Sequence, residues 1–89
     1  MNASTSPAQL PTRILELLTE VAPDVDPATV DPDLEFRQQF DFDSMDMLHF
    51  VIALNKEYGI EIPEQDYQAL RSLSACSAYV AQALAAQDS

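Results

Sequence analysis

Prolines at Pro11, Pro23, Pro27, Pro32 and Pro63, together with one glycine, Gly59, set the terms on which this chain can fold. A proline inside a helix removes a backbone hydrogen bond and collides with the preceding turn, at a cost of about 3 kcal/mol, so helices must fit between these residues. Tight β-hairpins draw on glycine at their turn positions. With a single glycine, no hairpin dipeptide and no alternating apolar pattern, the chain has little from which to build a sheet. The expected class is all-α.

Helical spacing is present where the prolines allow it. Ile14, Leu17, Leu18 and Val21 fall on one face, and Pro11 suits a first turn, where its missing N–H is no loss. The first helix is therefore expected from about Pro11 to Ala22, ended by Pro23, with residues 1–10 as a flexible tail. A long connection follows as far as Asp43. Asp26-Pro27 and Asp31-Pro32 start turns within it, and Val25, Val30, Leu34, Phe36, Phe40 and Phe42 are available to tie it down. A short helical turn fits around Asp33 to Gln39.

The second helix is expected from Ser44 to near Tyr58, with Asp43 as N-cap, Asp46 completing an acidic capping box and Gly59 as C-cap. Met47, Phe50, Val51, Leu54 and Tyr58 share its core face, while Met45, Leu48 and Ile52 fall on nearly the opposite side. In so small a domain the second stripe is expected at the surface, beside His49 and Lys56. After Ile60-Glu61-Ile62-Pro63 a short third helix is expected over about Glu64 to Leu70. Ser72 can cap a fourth helix that turns Leu73, Cys76, Val80, Ala83 and Leu84 inward, with residues 86–89 frayed. The architecture is a small four-helix bundle over residues 11–85, with a long loop between helices one and two and a short helix three.

Charge narrows the partners. Fifteen acidic residues against four Lys plus Arg give a net charge of −11, which repels nucleic acid and anionic membranes and favours basic protein surfaces. No segment reaches the roughly 18 apolar residues that argue for a membrane span, so no membrane insertion is expected. One cysteine, Cys76, forms no internal disulfide, and the N-terminal residues lack a signal-peptide layout, so the expected setting is cytoplasmic. For so acidic a chain the expected state is a monomer.

Most chemistry is poorly supported. Asp41 and Asp43 begin like a calcium loop, but Asp46 replaces the required glycine and Ile52 stands where a bidentate Glu is needed. One His and one Cys are too few for a structural zinc site. His49 lies about 140° around the helix from Ser44, badly aimed to activate its hydroxyl. What remains is Ser44 itself, a hydroxyl at a helix start, where backbone N–H groups and the positive dipole end favour an anion such as a phosphodiester. That is a place for modification rather than catalysis. Considered alone, Ser44 reads first as a serine that merely opens a helix behind the Asp43 cap.

The segment Phe40-Asp41-Phe42-Asp43-Ser44-Met45-Asp46, followed at helical distance by Tyr58-Gly59-Ile60-Glu61-Ile62-Pro63, resembles the acyl carrier protein family, the phosphopantetheine-binding four-helix domains, over roughly Ile14 to Leu84. The resemblance implies that Ser44 accepts a 4′-phosphopantetheine arm from coenzyme A through a separate phosphopantetheinyl transferase, and that the carrier is not itself an enzyme. It implies that Asp43 helps position the transferase and its metal, that Asp46 matches the second acidic position, and that Met45, Leu48 and Ile52 face partner enzymes. Those partners are acyl-loading and acyl-processing enzymes with basic docking patches. Where fatty-acid carriers often show a run of glutamates on this helix, the chain has His49, Asn55 and Lys56, which points to a specialised lipid or secondary-metabolite pathway. Two alternatives stand beside this discrete acyl carrier: an aminoacyl or peptidyl carrier, D-alanyl included, and an unmodified helical adaptor.

Overall fold

The computed structural model describes residues 9–87. Helix α1 spans Leu10–Val21, α2 is the single turn Phe36–Gln39, α3 spans Ser44–Tyr58 and α4 spans Leu73–Gln87. Short 3₁₀ segments at Pro27–Thr29 and Glu64–Leu70 complete the order. Among the described residues there is no strand, only an isolated antiparallel bridge between Glu35 and Ser72. None of these helices is long and apolar enough to cross a membrane.

Periodicity placed the helices because apolar burial drives their packing. Helix α1 lies against both α3 and α4, and the Glu64–Leu70 segment packs on α4. Ile14, Leu18, Phe50, Leu54, Leu70 and Val80 are fully buried where they meet, and each such side chain contributes roughly 1.5–3 kcal/mol of hydrophobic stabilisation. Cys76 is buried with them, a small apolar filler. Ala83 and Leu84 are half-buried and pack on this core.

The ends of α3 fall where its caps require. Asp43 is extended at the N-cap, and Gly59 takes the left-handed conformation at φ 66° and sends its N–H to the Asn55 carbonyl at 2.8 Å. The Asn55 amide donates in turn to the Ile60 carbonyl, so the chain leaves α3 along one path and delivers Ile60 to the core.

The long connection is held by its aromatics and by hydrogen bonds to the far side of the fold. Phe36 packs edge-on against Phe42 at 5.4 Å and against Phe50 at 5.8 Å, and Phe40 packs edge-on against Phe42 at 5.9 Å. The Phe36 N–H donates to the Arg71 carbonyl at 2.8 Å and the Ser74 N–H to the Pro32 carbonyl at 3.0 Å, fastening the loop to the start of α4. Gln39 closes it from within, accepting from the Asp31 N–H and donating to the Asp31 and Leu34 carbonyls.

Three expectations need correction, and a fourth, the short third helix, stands with its winding now defined. Leu10, assigned to the tail, begins α1 and is buried, because the apolar face extends one turn earlier than Ile14; residues 1–8 of that tail lie outside the described residues. Leu34 does not tie the loop: it is 45% exposed, and the phenyl rings fill the loop's place in the core. The third helix has the expected span but is 3₁₀, entered by an Asp66 N–H to Pro63 carbonyl bond at 2.9 Å. Helix α4 runs through Gln87, whose side-chain amide donates to the Gly59 carbonyl at 2.8 Å, where fraying was expected from residue 86. Residues 88–89 lie outside the described residues.

Candidate functional site

Ser44 is the first residue of α3, and it is exposed. Two devices fix its backbone. On the loop side, Phe42 is buried among Phe36, Phe40 and Phe50, two residues before the serine. On the helix side, Asp43 Oδ1 accepts the Asp46 N–H at 2.9 Å while Asp46 Oδ2 accepts the Asp43 N–H at 3.2 Å. The result is a solvent-facing hydroxyl on an immobilised backbone, a geometry that suits a group another protein has to find and modify.

Ser44 opens on a groove of about 790 Å³ between α2, α3 and the Glu64–Leu70 segment. Asp43, Met45 and Leu48 share that groove, Tyr67 lines its far wall, and it carries two guanidinium groups, Arg37 and Arg71. Its size lies within the roughly 300–1,000 Å³ of small-molecule pockets. Arg71 Nη2 bonds Glu35 Oε2 at 2.8 Å on the wall. Arg37 makes no ion pair or side-chain hydrogen bond among the described residues.

The outward stripe of α3 is exposed as expected, Met45 by 56%, Leu48 by 40% and Ile52 by 45%. It divides between two hollows. Met45 and Leu48 border the Ser44 groove, whereas Ile52 borders a smaller hollow of about 380 Å³ between α1 and α3, with His49 and Lys56. Asp46 is half-buried at the cap and lines neither hollow.

Other ionisable groups serve the fold. Arg13 bridges Glu57 at 2.7 Å and Glu16 at 2.8 Å, and these hydrogen bonds hold its guanidinium above, and the Glu57 carboxyl below, their ordinary values. Burial pushes the Cys76 thiol up to about 12, which leaves it protonated and unreactive near neutrality. Burial and then a 2.8 Å hydrogen bond to Asp66 push the Tyr79 hydroxyl up to about 12. Among the described residues no group of three His, Cys, Asp or Glu side chains could hold a metal.

Sequence reasoning singled out Asp43, Ser44 and Asp46, which are neighbours in the chain, and the structure has Asp43 and Asp46 capping the helix that Ser44 begins. It gave no notice of Arg37 and Arg71, which line the same groove only because the loop folds onto the start of α4. The one signal available was their scarcity, since the chain has four Lys plus Arg.

Comparison with known proteins points to carrier proteins over most of the chain. A family model described as the phosphopantetheine attachment site matches residues 12–80. The chain is similar to an acyl carrier protein of Thermosynechococcus vestitus, 33% identical over 63 residues that cover 67% of this chain and 78% of that protein. It is also similar to the meromycolate extension acyl carrier protein of Mycobacterium bovis, 30% identical over 67 residues that cover 75% of this chain and 57% of that one. Among solved structures, apo KstB-PCP superposes with a TM-score of 0.63 at 27% identity, covering 88% of this chain and 89% of that chain.

Proposed function

The chain belongs to the acyl carrier protein family, whose members hold a covalently attached 4′-phosphopantetheine, and from that premise we propose that it is a discrete acyl carrier with Ser44 as its attachment residue. The observation that carries this reading is Ser44 itself: the one serine of the groove, exposed, on a backbone fixed by the Asp43–Asp46 cap and the Phe42 anchor. The residues present fit the group, because an exposed hydroxyl opens on a hollow large enough for a flexible arm.

In the attachment step Ser44 Oγ forms a bond to the phosphorus bearing pantetheine, the pyrophosphate link of coenzyme A breaks, and the nucleotide half departs while the hydroxyl proton passes to a base of the transferase. Asp43 and Asp46 hold the first turn of α3 in place for that encounter, and the Asp43 carboxylate faces the transferase and its metal. Once bound, the group supplies a terminal thiol that carries cargo as a thioester. Met45, Leu48 and Ile52 give partner enzymes an apolar footing, and the surrounding acids attract basic docking patches. The protein's part is to bind, position and present, and tethering supplies each partner with a high effective concentration of cargo. His49 and Lys56, exposed on α3, support a specialised lipid or secondary-metabolite pathway, and the single unpaired thiol of Cys76 supports a cytoplasmic setting.

A second reading, an aminoacyl or peptidyl carrier, is supported by the likeness to KstB-PCP. Both readings share the arm and differ in the loading enzyme. Intact mass after incubation with coenzyme A, magnesium and a broad-specificity transferase tests what they share. A gain of one phosphopantetheine, absent from Ser44→Ala, is expected. No gain in a folded parent with several transferases, or an equal gain in Ser44→Ala, would overturn the assignment and favour the unmodified adaptor. Offering acyl-activating and aminoacyl-activating enzymes to the loaded protein then separates the two carriers.

A further inference from the structure

Of the chain's few cations, Arg13 is committed to Glu16 and Glu57, and Arg71 to Glu35. Arg37 stands in the Ser44 groove without an ion-pair partner among the described residues, in a protein of net charge −11. The acids bordering the groove are Glu35, Asp43 and Glu64. Glu35 is taken by Arg71 and Asp43 by the Asp46 N–H, which leaves Glu64 as the one groove carboxylate with neither kind of partner among the described residues.

The start of α3 is also less welcoming to an anion than a bare helix terminus. Asp43 and Asp46 already place two carboxylates there, and each accepts a backbone N–H of the first turn. A further negative charge on Ser44 would be set beside both of them, with the dipole already answered. A guanidinium is the side chain best shaped to balance phosphate or carboxylate through paired N–H donors.

Resting on the Ser44 assignment, we propose that Arg37 binds an anionic group of the attached arm and draws the arm into the groove between α2, α3 and Glu64–Leu70. The shared chemistry is a phosphate or carboxylate oxygen. It has two sources, the phosphodiester at Ser44 or the free carboxylate of a carboxyacyl cargo, and the second would make the groove selective for carboxylated acyl units.

The test uses full-length protein in four forms: unloaded, loaded with phosphopantetheine alone, with its acetyl thioester, and with its malonyl thioester. The Arg37 Nε–Hε signal and the phosphorus signal are followed by NMR in the parent, Arg37→Gln and Glu64→Gln. A shift of the Arg37 signal on loading is expected, larger in Glu64→Gln, where the competing carboxylate is removed. Arg37→Gln should abolish the accompanying phosphorus shift or the protection of the malonyl thioester from hydrolysis. Equal shifts in all three loaded forms identify the phosphodiester as the anion, and a shift confined to the malonyl form identifies the cargo carboxylate. An Arg37 signal identical in all four forms, with Arg37→Gln indistinguishable from the parent, overturns the proposal. A chain that takes no arm at all removes the Ser44 assignment first, a failure that mass spectrometry detects before any NMR is run. Arg37 is exposed, so Arg37→Gln should leave the unloaded fold and its melting temperature unchanged.

Discussion

Asp43 and Asp46 bond each other's backbone across the first turn of α3, at 2.9 and 3.2 Å, with the exposed Ser44 between them. Asp43 therefore has two jobs open to it, capping the start of a helix and meeting a transferase, and substitution separates them. Asparagine caps a helix about as well as aspartate, whereas alanine costs about 1 kcal/mol. Asp43→Asn should keep the parent's denaturation midpoint and Asp43→Ala should lose about 1 kcal/mol, while both lower the rate of phosphopantetheine transfer at least tenfold. Transfer at the parent rate in Asp43→Asn would leave the carboxylate with capping as its sole role.

At the other end of α3, Gly59 sits at φ 66°, and a Cβ built there meets nothing within 4 Å. The cost of a side chain is then purely conformational, about 1–2 kcal/mol for an L-residue in the left-handed region. Gly59→Ala should destabilise by about that amount in urea, and Gly59→Asn by less, because asparagine tolerates this conformation. Equal stability of Gly59→Ala and the parent would mean that this helix end rearranges.

The contrast between α3 and the groove shows what a sequence discloses. Capping box, core face and terminal glycine are all local: each depends on residues within a few positions, and each sat where the spacing put it. The span of Glu64–Leu70 followed from Pro63, but its 3₁₀ winding did not, because only a few hydrogen bonds separate the two helix types in so short a segment. Leu34 and Phe36 looked alike as loop anchors in the sequence, and the fold kept one of them. That Arg37 and Arg71 line one groove depends on the Phe36 N–H reaching the Arg71 carbonyl, a contact between distant segments that no periodicity encodes.

Leu48 tests the partner face. It is 40% exposed on α3, between the serine and Ile52. Leu48→Glu should change stability by no more than about 0.5 kcal/mol, as surface substitutions do. If the stripe is a docking face, the same change should cut kcat/KM for the transferase by about tenfold or more, equivalent to about 1.4 kcal/mol of lost interaction. Unchanged kinetics with the transferase and with the loading enzyme would move docking off this stripe.

Cys76 gives a pH dependence whose sign is fixed by burial. The thiol ordinarily titrates near 9.0 and is pushed up to about 12 in the fold, and Tyr79 moves from 10.0 to about 12. Between those limits the native chain holds protons that the unfolded chain has released, so stability is fully present below about pH 9 and falls as pH rises toward 12. Urea titrations from about pH 8 to pH 11 should show that fall, on the order of a few kcal/mol at its end, and a shallower one in Cys76→Ala. A stability independent of pH over this range would contradict the burial of Cys76. The same burial makes a thiol reagent a count of arms. Near pH 8 the folded, unloaded protein should react with none, because its one thiol is enclosed and protonated. Loaded protein should consume one equivalent through the terminal thiol of the arm, and denaturation should raise each count by one.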